Sequence, residues 1–274
     1  MRLSVSKIKT FKSCRRKYQL HYIEGLTPVQ KSDALETGSN YHKLLEELNT
    51  NGHHWDYVDY SKERAMAEAY YKYIFPHFKT VEAEKWLEYD LGNNIDKLVG
   101  IVDAIADDGH IVEHKTTGME ITEQYEYNLL WDEQILAYML MTGHRKVWYT
   151  VCRKPTIRQK QNETDEEFFN RMVEWYDTDT ESKIRLLEIE RTDEEVEEFR
   201  KNLLSIALEM NIAQSQHEHN SVVSNPYYKN TCHCNMWGRR CEYSSVCLNY
   251  NPDEQYIDFV KGDVEYEQRP SNDF

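Results

Sequence analysis

No stretch of this 274-residue chain approaches the apolar length needed to cross a bilayer. Its opening residues, Met1-Arg2-Leu3-Ser4, lack the apolar core of a secretory signal. Neither a membrane protein nor an exported one is expected, and a cytoplasmic location is. Internal repeats and low-complexity tracts are missing too, so the chain is not read as an array or a disordered linker. Positive charge is in short supply: 33 Lys and Arg stand against 48 Asp and Glu, a net charge of −15. Taken whole, that argues against a polyanionic partner. The distribution softens the argument. Lys7, Lys9, Lys12, Arg15, Arg16 and Lys17 precede the first acidic residue, and Arg153, Lys154, Arg158 and Lys160 form a second basic run. Each run suits either a solvated face or contact with phosphates.

What is present suits a globular protein, with 40% hydrophobic and 30% charged residues. Twenty tyrosines favour contact surfaces of mixed polarity. Helical spacing predicts helices over 7–21 (capped by Ser6), 35–48, 62–75 and 123–141. Capping boxes at Thr164-Asp-Glu-Glu167 and Thr192-Asp-Glu-Glu195 predict two more, over 165–176 and 193–213. Strands are predicted at 81–91, 146–152 and 184–189, followed at the far end by a polar loop over 214–230. Strands mixed with helices in this order imply an α/β fold, a mixed central sheet flanked by helices. We expect one domain over 1–274, with a helical part to about residue 80, a catalytic core over about 81–215 and a cysteine cluster at about 230–250.

The chemistry concentrates between Leu98 and Thr117. Two apolar strands meet at a turn, Asp107-Asp108-Gly109, and carry Asp103, Glu113 and Lys115. Residues two apart share a face of a strand, so Glu113 and Lys115 lie side by side while His114 looks the other way. An antiparallel partner brings Asp103 beside Glu113. Two carboxylates in an apolar hairpin need neutralising, and a divalent metal does so. The bland alternative is an exposed ion pair on a strand.

Four cysteines crowd the segment from Cys232 to Cys247. In a reducing compartment that density points to Zn²⁺ or an iron–sulfur cluster, and the paired C-x₂₋₄-C knuckles favoured by zinc are missing. Cys152, on a predicted strand, reads as a core residue.

These motifs together resemble the PD-(D/E)XK nuclease superfamily. Gly100-Ile-Val-Asp103 followed by Ile111-Val-Glu-His-Lys115 is similar to its D…(D/E)-x-K core, with Val102 where the family name has proline. Gly38-Ser-Asn-Tyr-His42-Lys-Leu-Leu-Glu46 and Gln134-Ile-Leu-Ala-Tyr138 resemble the G-x-x-x-H-x-x-L-E and Q-x-x-x-Y segments of its RecB-like iron–sulfur branch, which includes CRISPR-associated adaptation nucleases and phage exonucleases. Cys234-x₆-Cys241-x₅-Cys247 is similar to that branch's cysteine triplet, and Ser4-Val-Ser-Lys-Ile-Lys-Thr-Phe-Lys-Ser-Cys14 to the helix carrying the fourth cysteine. The likeness runs from Ser4 to Cys247, with no family motif between Val151 and Asn230.

The resemblance implies a restriction-endonuclease-like core and a DNA exonuclease working on ends or single strands, in the host cytoplasm if the chain is phage-encoded. It implies Mg²⁺ or Mn²⁺ held by His42, Asp103, Glu113 and the His114 carbonyl, with Lys115 serving the water. Gln134 and Tyr138 would touch substrate or position Lys115, and Glu46 is open between a partner of His42 and a plain surface acid. It implies a structural cluster, 4Fe–4S, on Cys14, Cys234, Cys241 and Cys247, stapling the two ends of the chain. Cys232 is spare or replaces Cys234. Zinc on Cys232, Cys234, Cys241 and Cys247 is the alternative for this site. A non-catalytic binding or assembly module is the alternative for the whole chain, and RNA the alternative substrate.

Overall fold

The computed structural model describes residues 1–29, 33–55, 59–92, 96–219, 224–248 and 258–262. Residues 220–223 of the expected polar loop therefore lie outside the described residues. In chain order the elements are β1 (Arg2–Leu3), α1 (Val5–Ser13), α2 (Arg15–Tyr18), β2 (Leu26–Pro28), α3 (Asp33–Asn51), α4 (Lys62–Tyr73), β3 (Thr80–Asp90), β4 (Lys97–Ala106) and β5 (Ile111–Thr117). They continue with α5 (Glu123–Leu129), α6 (Glu133–Thr142), β6 (Lys146–Arg153), α7 (Asp165–Trp175), β7 (Ile184–Glu190), α8 (Asp193–Glu218), α9 (Ser244–Leu248) and β8 (Phe259–Lys261). The chain divides into two compact units. One comprises Met1–Lys31, Glu88–Gly100 and Glu197–Phe274, the other Ser32–Leu87 and Ile101–Val196.

The second unit is built on a mixed sheet. β4 pairs with β5 antiparallel (Ala104↔Val112, Ile105↔Ile111), β5 with β6 in parallel from Ile111↔Val147 to Thr117↔Arg153, and β6 with β7 antiparallel. β3 also pairs with β4. Alternation along β6 sorts the helices. Val147, Tyr149 and Val151 pack with Leu129, Ile135, Tyr138 and Met139 of the α5–α6 region. Cys152 points to the opposite face, among Tyr41 and Leu45 of α3, Met66 and Tyr70 of α4, and Tyr176 after α7. Both faces of the sheet are thus covered by helices, as the element order predicts. The β4–β5 turn forms where expected: Gly109 takes φ +84°, and the Asp108 carboxylate accepts the His110 N–H at 2.9 Å.

In the first unit β1 runs parallel to the start of β4 (Arg2↔Lys97, Leu3↔Leu98), and β2 pairs antiparallel with β8 (Leu26↔Lys261 to Pro28↔Phe259). Leu20, Leu26, Tyr243 and Val246 form one hydrophobic cluster in this unit, with Cys241 and Cys247 against it.

Three helix expectations are corrected. The first helix is capped by Ser4, whose hydroxyl accepts the Lys7 N–H, and it does not run through to residue 21. Cys14 breaks it in extended conformation (φ −160°, ψ 111°), and the chain continues as α2 and a π-turn over Gln19–Ile23. The break persists because Asn230 satisfies a carbonyl freed at the helix end, its Nδ2 donating to Ser13 O at 2.8 Å. The expected helix over 123–141 is two helices. Asp132 takes a non-helical conformation and caps α6 by accepting the Gln134 N–H, a stronger local preference than apolar periodicity expresses. The last long helix extends to Glu218, beyond the predicted end at residue 213.

Candidate active site and cysteine cavity

The site in the second unit lies where the β4–β5 ladder opens. Its pairing stops at Ala104↔Val112. The next donor, the His114 backbone N–H, is taken by the Asp103 carboxylate, Oδ2 accepting at 2.7 Å. Asp103 Oδ1 stands 3.4 Å from Nδ1 of His42 on α3. On β5, Glu113 is 1% exposed, and one of its carboxylate oxygens accepts from Lys115 Nζ. Its other oxygen, Oε2, is buried without a hydrogen-bond partner. An orphaned buried carboxylate oxygen is costly and calls for a cation.

Lys115 is held from α6 as well. Its Nζ donates to Gln134 Oε1 at 3.0 Å. Gln134 Nε2 donates to the Tyr138 hydroxyl at 2.8 Å, and that hydroxyl donates to the Ile101 carbonyl at 2.5 Å. The four-residue spacing of Gln134 and Tyr138 stacks both side chains on one helix face, which makes the relay possible. The His114 ring lies on the opposite face of the sheet, with Nδ1 2.8 Å from Thr150 Oγ1 and Tyr70 edge-to-face at 5.2 Å.

The charges follow from burial and from one another. Burial works against ionised Asp103, but the hydrogen bond and charge of His42, with His114 and Lys115, outweigh it and hold the carboxyl at about 2. Burial dominates for Glu113 and raises it to about 7, against the pull of Lys115. Burial would lower Lys115, yet Glu113 and Asp103 lift it to about 12. Burial opposes a charged His42 too, but Asp103 raises it above its ordinary value. Burial keeps the His114 ring neutral, at about 4.

One carboxylate coupled electrostatically to Asp103 is not marked by any motif. Glu84, on β3, has φ +47°, a left-handed conformation rare for a side-chain-bearing residue and held only where surroundings impose it. Burial, Asp103 and Glu46 raise its carboxyl to about 7, so it belongs to the same electrostatic group. The only trace in the sequence is the carboxylate-bearing strand that precedes Gly100-Ile-Val-Asp103. Glu46, which the histidine motif leaves ambiguous, is exposed.

In the first unit, Cys14, Cys234, Cys241 and Cys247 line one cavity of about 550 Å³, with Lys17, Lys229 and Asn230. Cys14 Sγ accepts the Asn230 N–H at 3.5 Å, and Cys241 N donates to Cys234 O at 3.0 Å. Burial raises the Cys247 and Cys241 thiols, while Arg16 and Lys229 pull Cys247 down. Four thiols with cations around them suit an anionic iron–sulfur centre in donor type and charge. Among the described residues, however, no group of three or more His, Cys, Asp or Glu side chains is placed to hold a metal ion, either in this cavity or around His42, Asp103 and Glu113. Cys232 is exposed and does not line the cavity. Cys152 is buried at 3.5 Å from the Tyr176 hydroxyl, and burial raises its thiol to about 12, as befits a core residue.

The family model for the PD-(D/E)XK nuclease superfamily matches residues 2–248. The chain belongs to this superfamily. Its mixed sheet with helices on both faces is the restriction-endonuclease-like architecture of these nucleases. Among solved structures, the chain is similar to a phage-related exonuclease from Haemophilus somnus 129PT, at 14% identity over 69% of this chain and 89% of that one, with a TM-score of 0.35. It is also similar to an alkaline exonuclease from Laribacter hongkongensis, at 13% identity over 80% of this chain and 95% of that one, with a TM-score of 0.38. No curated protein matches the sequence. Among the described residues no helix is long and apolar enough to cross a membrane.

Proposed function

We propose that this nuclease is a metal-dependent DNA exonuclease that hydrolyses phosphodiester bonds at DNA ends or in single strands. It works in a reducing, cytoplasmic compartment. The observation that supports this reading best is the unpartnered buried Oε2 of Glu113 beside Asp103, Lys115 and His42. His42, Asp103, Glu113 and the His114 carbonyl would hold Mg²⁺ or Mn²⁺, which are oxygen-seeking cations. When bound, such a cation supplies positive charge where negative charge builds on the phosphoryl oxygens.

The chain's own residues do the rest. Lys115, kept charged by its carboxylate neighbours, orients the attacking water, whose proton passes to solvent, and offsets negative charge in the transition state. Gln134 and Tyr138 hold the ammonium in place through the Ile101 carbonyl. Basic residues of the run from Arg153 to Lys160, on the unit that carries the site, follow the backbone phosphates. Cys14, Cys234, Cys241 and Cys247 carry a structural 4Fe–4S cluster, supported by their shared cavity.

End-labelled single- and double-stranded DNA, incubated with Mg²⁺, Mn²⁺ or EDTA, tests the catalytic half. Cleavage should require metal, and Lys115→Ala should lower kcat by about 10²–10³, with Glu113→Ala inactive. Equal cleavage by the variants would mean a contaminant, and binding without cleavage would leave a non-catalytic module. Anaerobic purification tests the cluster. Visible absorption with iron and sulfide is expected, and a colourless protein with stoichiometric zinc would overturn it.

A further inference from the structure

Asn230 joins the two ends of the first unit. Its side-chain amide has two N–H donors and uses both. Nδ2 donates to Ser13 O at 2.8 Å and to His233 Nδ1 at 2.9 Å. The backbone of the same residue touches two sulfurs. Its N–H donates to Cys14 Sγ at 3.5 Å, and its carbonyl accepts from the Cys234 thiol at 3.8 Å. One residue therefore grips the dipeptides Ser13-Cys14 and His233-Cys234, although it stands 216 positions beyond Cys14 in the chain.

The amide suits this place. Ser13 O and His233 Nδ1 are both acceptors, the imidazole carrying its proton on Nε2, so the bridge needs two donors on one short side chain. An ionised aspartate has the same shape and no donor, and glutamine sets its donors one methylene farther out. The consequence falls on the thiols. Because the N and O atoms of one residue are close neighbours, the two sulfurs lie within about 11 Å of each other. Cys14, Cys234 and Asn230 line the same cavity as Cys241 and Cys247.

We propose that Asn230 is the positioning residue of the cysteine site, bringing Cys14 to Cys234 before a cluster is bound. The inference rests on the cluster reading and deepens it, by saying how ligands from distant parts of the chain are gathered. Hydrogen bonds close the long loop first, so ligation does not carry the whole entropy of bringing the ends together.

The test uses the full-length chain, purified anaerobically and stripped of iron by a chelator under reductant. Wild type, Asn230→Asp and Asn230→Ala are treated with a short bismaleimide, and mass spectrometry of the digests follows each thiol–thiol link. Both variants should form the Cys14–Cys234 link about tenfold more slowly, the scale of one net hydrogen bond. The Cys234–Cys241 link, within a segment where Cys241 N donates to Cys234 O at 3.0 Å, should keep its rate. Cys152, 1% exposed, should stay unlabelled. Before stripping, iron should leave both variants for a ferrous chelator about tenfold faster than wild type. A wild-type Cys14–Cys234 rate in Asn230→Ala would overturn the proposal, since the effect in Asn230→Asp would then be one of charge. An equal fall in both links, or labelling of Cys152 in both variants, would make Asn230 a general structural residue and overturn it too. If wild type is purified without iron and sulfide, the cluster reading fails separately, and the linking rates still decide the role of Asn230.

Discussion

The Asp103–Glu113–Lys115 site and the cysteine cavity are both candidate metal centres, but they are built in opposite ways. The first is set on regular elements. Strand pairing places Glu113 and Lys115, an N-cap places Gln134, and a relay ending on a backbone carbonyl locks the lysine. Its side chains are held by the fold itself, and the cost appears as a buried oxygen without a partner. The cavity is lined from a helix break at Cys14 and from short 3₁₀ turns over Thr231–His233 and Met236–Gly238. Little regular structure fixes those thiols, and they are half-buried or exposed. The difference separates side chains that regular structure holds in place from side chains that it does not.

The comparison breaks most sharply at Cys14. Cys14→Ser should abolish cluster colour and lower the unfolding free energy by up to about 5 kcal/mol, on the scale of a crosslink closing a very long loop. Iron content and chemical denaturation check this. A variant as stable as wild type would mean that the cavity is organised without a ligand.

Glu113→Gln probes the other half through pH. A carboxyl raised in the folded state contributes stability that is present below its unfolded pKa, 4.5, and is lost as pH rises through the folded value of about 7. In EDTA, wild type should therefore lose about 3 kcal/mol across that window relative to Glu113→Gln. Saturating Mn²⁺ should shrink the loss. Denaturant midpoints at pH 4.5 and pH 8 provide the measurement, and identical slopes would show that Oε2 is already satisfied.

Smaller effects sharpen the picture. Tyr138→Phe removes the hydroxyl between Gln134 and Ile101, and kcat should fall about tenfold, roughly one buried hydrogen bond, while KM holds. Glu84→Gly removes a side chain from a φ of +47°. Relief of about 1–2 kcal/mol of strain should nearly balance the backbone entropy of glycine, about 0.5–1 kcal/mol. Thermal melting should stay close to wild type, whereas activity falls if Glu84 shares in the site. A melting temperature lowered by many degrees would show that β3 depends on this carboxylate for packing.

Legibility tracked the same divide. The period-two placement of Glu113 and Lys115 and the turn at Gly109 are local regularities, so they could be read directly from the sequence, whereas Gln134 and Tyr138 stood out only through the family resemblance. The mixed sheet followed from strand and helix order. The breaks at Cys14 and at Leu130–Asp132 could not be read this way. Apolar spacing continues across both, and what decides them is a partner far off in sequence, Asn230, and a side-chain cap, Asp132. Glu84 escaped for a related reason: V-E-A-E-K reads as an ordinary solvated strand, and a left-handed kink in it is imposed by tertiary structure.

The hydrogen bond from the His114 amide to the Asp103 carboxylate makes that amide an observer of the site. Its proton senses the carboxylate's charge directly, and it sits between two strands where solvent exchange is slow. A single backbone resonance, displaced downfield while Asp103 is ionised and moving when a cation draws on the same oxygens, would report occupancy of the centre without substrate, label or turnover.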